Sequence, residues 1–288
     1  MPLKHAAFTV MTPEFTIEET AALLKHLGYD GVEWRVHSVP SQSLEKNDFW
    51  WGNKATIDIG SIVDNAREVR EMTEDQGLEI IGLGTYVSYK LLDDIERCME
   101  AAQIMGASSI RVSPPGYDGV ENYNDLYEEA LDGFGRVEAL AERYRVRANI
   151  ELHPHGICCS ASLAYRLVSN FDPDFVGVIY DPGNMMMEGY ENWQLGLELL
   201  GPYLSFVHVK NAAWIADSQN HGQKQWKASV VPLREGSVRW DKVLEALDKV
   251  GFGGWLSLED LSPGNTHQKL ADGIAFLKEL EADMGVLA

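Results

Sequence analysis

Cysteine is scarce in this chain: 3 residues in 288, two of them the neighbours Cys158 and Cys159. That excludes a disulfide framework and leaves no zinc site of cysteine spacing. Basic residues are outnumbered as well, 24 Lys and Arg against 44 Asp and Glu, for a formal charge of −20. Such a surface repels nucleic acid and anionic membranes, so neither is expected as a partner. Long apolar runs are missing too. Met1-Pro2-Leu3-Lys4-His5 opens none, so neither a signal peptide nor a membrane span is expected, and a cytoplasmic protein is the default expectation. A glycine-rich phosphate loop is also absent, which favours an unphosphorylated small-molecule ligand. No composition shift, short repeat or low-complexity tract marks a domain boundary. One domain over residues 1–288 is expected.

Apolar residues make up 45% of the chain, enough for a large core. Their spacing alternates between short strands and amphipathic helices. The strands are expected at Ala6–Met11, Gly31–Val36, Glu79–Leu83, Ser109–Ser113, Arg147–His153, Val176–Asp181, Leu204–Lys210 and Trp255–Glu259. The helices are expected at Thr16–Leu27, Ile62–Gln76, Leu92–Met105, Tyr123–Tyr144, Ala161–Phe171, Trp193–Leu200, Trp240–Val250 and Gln268–Leu280. Runs such as Val176-Gly177-Val178-Ile179 suit strands buried on both faces of a parallel sheet. Eight strand–helix units in a chain of this length point to the α/β class and a closed (β/α)8 barrel. Two stretches break the rhythm, 37–58 and 211–238. Both follow strands and so belong to the C-terminal face, where such barrels build their sites.

Four consecutive strands end on a metal-type ligand: Asn149-Ile150-Glu151, Ile179-Tyr180-Asp181, Phe206-Val207-His208 and Ser257-Leu258-Glu259. Buried charges must be paired or must hold a metal. Glu151, Asp181, His208 and Glu259 form a carboxylate and imidazole set that suits one divalent ion, Mn²⁺, Mg²⁺, Co²⁺ or Zn²⁺. The rival account is four unrelated polar residues, two of them in salt bridges. His153 shares the face of Glu151 and titrates near neutral pH, so it is a candidate general acid or base. Its alternative is a structural histidine beside the metal shell. His155, beyond Pro154, is expected to be an exposed loop residue.

The order Glu, Asp, His, Glu on strands five to eight resembles the xylose-isomerase-like TIM barrel sugar isomerase and epimerase family, which includes ketose 3-epimerases, hydroxypyruvate isomerases and inosose dehydratases. The matching pieces are Glu151-Leu152-His153-Pro154, Tyr180-Asp181-Pro182-Gly183-Asn184, His208-Val209-Lys210-Asn211 and Leu258-Glu259-Asp260, with Gly28-Tyr29-Asp30-Gly31-Val32-Glu33-Trp34 on the second strand. The resemblance spans nearly the whole chain. It implies a divalent cation, Mn²⁺ first, that chelates a keto-sugar, polarises its carbonyl and stabilises an enediolate. Glu151 and Glu259 would then flank the reacting carbons as the two proton-transfer groups. Two bases on opposite faces give epimerisation, one base gives isomerisation, and a proton removed beside a leaving group gives elimination. A homo-oligomer is compatible with the resemblance, since relatives are often dimers or tetramers.

Other positions carry expectations of their own. Asn184 stands where some ketose epimerases have a histidine. A DNA-repair endonuclease of the same fold is disfavoured, because Gly84-Thr85-Tyr86 and Ser113-Pro114 supply no extra histidines. Lys210 shares the face of His208 and is expected either to bind a substrate oxygen or to pair with Asp181 or Glu259. Glu33 and Arg35 are expected to bind sugar hydroxyls or to pair with each other. Trp50, Trp51 and Asn53 form an aromatic loop suited to a sugar, with one tryptophan anchoring it. The leading expectation is therefore a metal-dependent sugar isomerase or epimerase. The alternatives are a lyase acting on inosose or a 3-keto-glycoside, favoured by the Glu151–His153 pair, and a non-catalytic sugar-binding barrel.

Overall fold

Thr16 starts the first helix with a reciprocal cap. Its hydroxyl accepts from the Glu19 N–H, and the Glu19 carboxylate accepts from the Thr16 N–H. Gly28, in the left-handed conformation, ends the same helix. Side-chain caps also start four later helices, at Asn122, Ser160, Asn192 and Asn265. The helices read as Leu92–Met105, Tyr123–Tyr144 and Trp193–Leu200 have these limits in the structure. The computed structural model describes residues 3–39 and 48–285. Residues 40–47 of the first insertion lie outside the described residues.

The order is β1 (Lys4–Phe8), α1 (Ile17–Leu27), β2 (Gly31–His37), β3 (Ile57–Asp58), α2 (Ile62–Asp75), β4 (Glu79–Thr85), α3 (Leu92–Met105), β5 (Ser109–Arg111), α4 (Tyr123–Tyr144), β6 (Arg147–Glu151), α5 (Ala161–Val168), β7 (Val176–Tyr180), α6 (Pro182–Met187), α7 (Trp193–Leu200), β8 (Leu204–Val209), β9 (Asn211–Asn220), β10 (Gln223–Val231), α8 (Trp240–Lys249), β11 (Trp255–Leu258) and α9 (Thr266–Asp283). Strands β1, β2, β4, β5, β6, β7, β8 and β11 pair in that sequence, all parallel. The barrel closes because β1 pairs with both β2 and β11. Ala6 faces Gly31 on one side and Ser257 on the other. No helix among the described residues is long and apolar enough to cross a membrane.

The main core lies between the strands and the surrounding helices. A second, small cluster of Ala6, Ile81, Ile179 and Phe206 comes from four different strands, which can meet only inside the barrel. It forms an apolar floor. Above it the inward side chains turn polar, and His208 lies between Phe8 and Phe206, each ring centroid 5.6 Å away. Gly84 makes this possible: a β-carbon there would strike the Phe8 ring.

The structure departs from the expected elements in four places. The first strand stops at Phe8, and Thr9–Met11 forms a 3-10 turn whose Thr9 carbonyl accepts from the Thr12 N–H and hydroxyl. Part of the first insertion, Ile57–Asp58, adds a short strand to β2. The second insertion is an antiparallel hairpin with His221 and Gly222 at positive φ in its tip. Asn211 holds its base, donating to the Leu233 and Val238 carbonyls at 2.7 and 3.1 Å and accepting from the Val238 N–H at 2.8 Å. The stretch after β7, read as loop, is the short helix α6.

Candidate metal centre and adjoining cavity

Each of the four expected ligands stands at or just past the C-terminal end of its strand. Glu151 is the last residue of β6, Asp181 follows β7, His208 is the penultimate residue of β8, and Glu259 follows β11. One ligand atom from each lies within 4.8 Å of all the others, and all four side chains are buried.

Asp181 divides its carboxylate between two tasks. Oδ1 accepts from the Asn184 N–H at 2.9 Å and so caps α6, with Pro182 at the first helical position. Oδ2 faces the other ligands and accepts no hydrogen bond, and Glu259 Oε2 is likewise without one. His208 points Nδ1 into the same space, 3.0 Å from Glu151 Oε1, 3.4 Å from Glu259 Oε2 and 3.6 Å from Asp181 Oδ2. Lys210 takes the paired alternative. Its ammonium lies 2.9 Å from Asp181 Oδ2, outside hydrogen-bond alignment, and is also ion-paired with Glu259. It donates to Asn184 Oδ1 at 3.3 Å.

The electrostatics follow from three buried carboxylates in one place. Burial works against ionised Glu151, but the Arg111 guanidinium, the His208 hydrogen bond and Lys210 together hold it well below the usual carboxylate range. Burial pushes Glu259 up, and the charges of Glu151 and Asp181 add to this while Lys210 and His208 oppose it. Burial would lower His208, yet the Glu33 charge and the close carboxylates of Asp181, Glu151 and Glu33 hold it well above its ordinary value. Two inward carboxylate oxygens without hydrogen bonds, beside an imidazole nitrogen, are a donor set matched to a hard or borderline divalent cation. The residues fit such an ion.

A cavity of about 200 Å³ opens beside this cluster. Glu151 belongs to both, so one carboxylate joins the ligand set to the open space. His153 lies on the cavity wall, two residues past Glu151, with Nδ1 2.8 Å from the Pro154 carbonyl oxygen. His155 is exposed, as expected, and its N–H donates to Glu188. Two wall residues escaped the sequence reading, Arg111 and Tyr86. Arg111 donates to Glu151 and to the Thr85 carbonyl, and its guanidinium lies 4.2 Å from the Tyr86 ring centroid. An arginine in the apolar strand Ser109-Ile110-Arg111-Val112 was the available signal.

The remaining candidates divide. Asn184 reaches the centre: its amide donates to Glu151 Oε1 at 3.2 Å and to the Leu152 carbonyl at 3.0 Å. Glu33 and Arg35 do not pair with each other. Glu33 is directed under His208, whereas Arg35 donates to Thr56 Oγ1 and to the Trp50 carbonyl. Asn53 clasps the loop to the barrel rim. Its amide donates to the Thr9 and Val10 carbonyls, and its oxygen accepts from the Ala55 N–H. Trp50 meets the Tyr86 ring edge to face at 6.1 Å, and Trp51 is 54% exposed.

A barrel with carboxylates and a histidine at successive strand ends defines a class, and comparison with known proteins assigns it. The sequence pattern of the xylose isomerase-like TIM barrel family matches residues 21–280, and the chain belongs to that family. No match was found among curated proteins. Among solved structures, a 3-keto-D-glucoside 4-epimerase from E. coli superposes with a TM-score of 0.70 at 18% identity, covering 96% of this chain and 99% of that one. A D-tagatose 3-epimerase-like protein gives 0.74 at 16% identity over 99% and 100% of the two chains. An IOLI protein with a bound zinc atom gives 0.71 at 16% identity over 98% and 97%. At such identities the likeness establishes the fold.

Proposed function

We propose that this chain is a divalent-metal-dependent isomerase or epimerase acting on a keto-sugar, by proton transfer next to the carbonyl through an enediolate. The observation that carries the reading is Glu151, one carboxylate shared by the four-ligand cluster and the cavity. Glu151, Asp181, His208 and Glu259 would hold the ion, with Mn²⁺ as the proposed metal. When bound, such an ion supplies Lewis acidity that acidifies the C–H beside a carbonyl. Glu151, kept ionised by Arg111, takes that proton. Glu259 and Glu151 are the two groups whose surroundings push their pKa values apart, the pattern of an acid and base pair. Glu259 would return a proton, taken up from solvent, on its own side of the substrate. Asn184 and Arg111 hold Glu151 in place during both transfers. Lys210, once the ion takes over its carboxylate partners, would bind a substrate oxygen.

The test is proton NMR in D₂O with Mn²⁺-loaded protein and a panel of free ketoses. Deuterium beside the carbonyl together with a new epimer or aldose supports the reading, and Glu151→Gln should lower the rate at least about 10³-fold. Full activity in Glu151→Gln would end it.

A second reading is favoured by His153, a third acid or base on the wall that holds Glu151, and by the indole of Trp50 at the rim. It is a lyase that eliminates water or an aglycone from inosose or a 3-keto-glycoside. Loss of the aglycone from a 3-keto-glucoside, with ketoses untouched and His153→Ala inactive, would select it.

A further inference from the structure

The sequence leads one to expect Glu33 to bind sugar hydroxyls or to pair with Arg35. Its surroundings give it other partners. The side chain is 1% exposed. Its Oε2 lies 3.0 Å from His208 Nε2 and accepts from Ser257 Oγ at 2.8 Å. Its Oε1 lies 3.1 Å from the place a β-carbon on Gly84 would occupy, so only glycine at position 84 leaves it room. Glu33 is not among the residues that line the cavity.

We infer that Glu33 is a positioning residue for the metal centre: by accepting the Nε2–H of His208 it fixes the tautomer and ring orientation that present Nδ1 to the ion. The inference rests on the metal-dependent reading of the site. An imidazole can ligate through either nitrogen, and the hydrogen bond at one sets which lone pair is free at the other. Here a carboxylate behind Nε2 leaves Nδ1 as the donor, which is the nitrogen that faces Glu151, Asp181 and Glu259. The same partner raises the basicity of the ring and so strengthens the bond it makes.

Three features make the arrangement a built one. Phe8 stacks on the imidazole at an interplanar angle of 17°, and Phe206 packs at 56°, so the ring cannot turn without displacing an aromatic neighbour. Ser257 holds Glu33 from β11, the strand that leads to the ligand Glu259. Glu33 therefore connects two ligand-bearing strands to β2, which bears no ligand. Finally, the expected partner Arg35 bonds elsewhere, which leaves the charge of Glu33 directed at His208.

The test is a metal-affinity measurement without substrate. Wild type, Glu33→Gln, Glu33→Ala and Ser257→Ala would be titrated with Mn²⁺ and with Zn²⁺ against a fluorescent chelator. Melting temperatures of the metal-free proteins would be recorded in parallel. Glu33→Ala should weaken binding about 10- to 100-fold. Glu33→Gln, whose amide oxygen still accepts the Nε2–H, should recover much of that loss, and Ser257→Ala should cost less than either. With Co²⁺ as the probe, the visible absorption of Glu33→Ala should change in shape relative to wild type, as a reoriented ligand requires. Should Glu33→Ala fail to fold, Glu33→Gln against Ser257→Ala decides on affinity alone. Unchanged affinity in Glu33→Gln and Glu33→Ala, with or without a lower melting temperature, would overturn the inference and leave the proposed function standing. A wild type that binds no divalent ion would remove both.

Discussion

The aliphatic stem of Lys210 crosses directly over Gly183, so that a β-carbon at position 183 would collide with Lys210 Cγ and crowd its backbone carbonyl carbon. The Asp181-Pro182-Gly183-Asn184 sequence has a steric explanation in this contact. Asp181 caps the helix, Pro182 suits its first position, and Gly183 leaves room for the lysine that neutralises Asp181 and Glu259. Replacing Gly183 by Ala should therefore cost about 1–3 kcal/mol, the usual range for overpacking a buried site. Urea unfolding of the metal-free protein would measure it. A variant as stable as wild type would show that Lys210 has another resting place.

Lys210 and a divalent cation serve the same carboxylates. Lys210→Met should destabilise the metal-free protein by about 3–5 kcal/mol, because it leaves buried charges without their partner. Saturating Mn²⁺ should restore most of that stability, since a ligand that binds only the folded state stabilises it by mass action. The gap in melting temperature between chelator and Mn²⁺ should accordingly be wider in Lys210→Met than in wild type. An equal gap would mean that the ammonium and the ion do not share their partners.

Much of this centre can be read from the sequence because the strands are apolar. In Val176–Tyr180 or Trp255–Leu258 a charge at the end stands out, and the alternation of a strand says which way it points. The helices were legible from period and caps, as Tyr123–Tyr144 shows. What stayed hidden depends on closure. Glu33 and His208 are 175 residues apart, and only the return of β11 to β1 brings β2 within reach of β8. Helix α6 was hidden because Pro182 and Gly183 read as breakers when Asp181 is not recognised as the cap. The hairpin β9–β10 was hidden because most of its residues are exposed, so no apolar face marks its register. Arg111 was visible as an oddity in its strand, but its partner lies on the next one.

Binding of the ion should release protons. His208 is held well above its ordinary value and Glu259 is raised, yet both must be deprotonated to ligate. Affinity should therefore fall as pH falls. Calorimetric titrations near neutral pH, run in two buffers of different ionisation enthalpy, should show about one proton or more released per ion. The sign for stability is the opposite in the metal-free protein. A histidine whose folded pKa is raised stabilises fully below its unfolded value of about 6.5, and loses that contribution as pH rises through its folded value. The melting-temperature difference between loaded and metal-free protein should thus widen from acid to alkaline pH. A heat of binding independent of buffer would contradict the protonation assigned to His208.

The three cysteines should behave as packing residues and not as nucleophiles. Burial pushes the Cys98 thiol up to about 12 and lifts Cys158 further still, and Cys159 is raised as well, by burial and then by the Glu188 charge. The thiolate is the reactive form, so a thiol raised this far is almost wholly protonated at pH 8. With Cys98 buried on α3 and Cys158 only 1% exposed in the cavity wall, both thiols should resist reagent in the folded protein. Titration of the native protein with a chromogenic disulfide at pH 8 should show no rapid reaction at Cys98 or Cys158 and a slow one at Cys159, while the denatured chain shows all 3. Rapid, stoichiometric labelling of Cys158 in the folded protein would show that the cavity wall opens at this residue and would contradict its role as a packing residue.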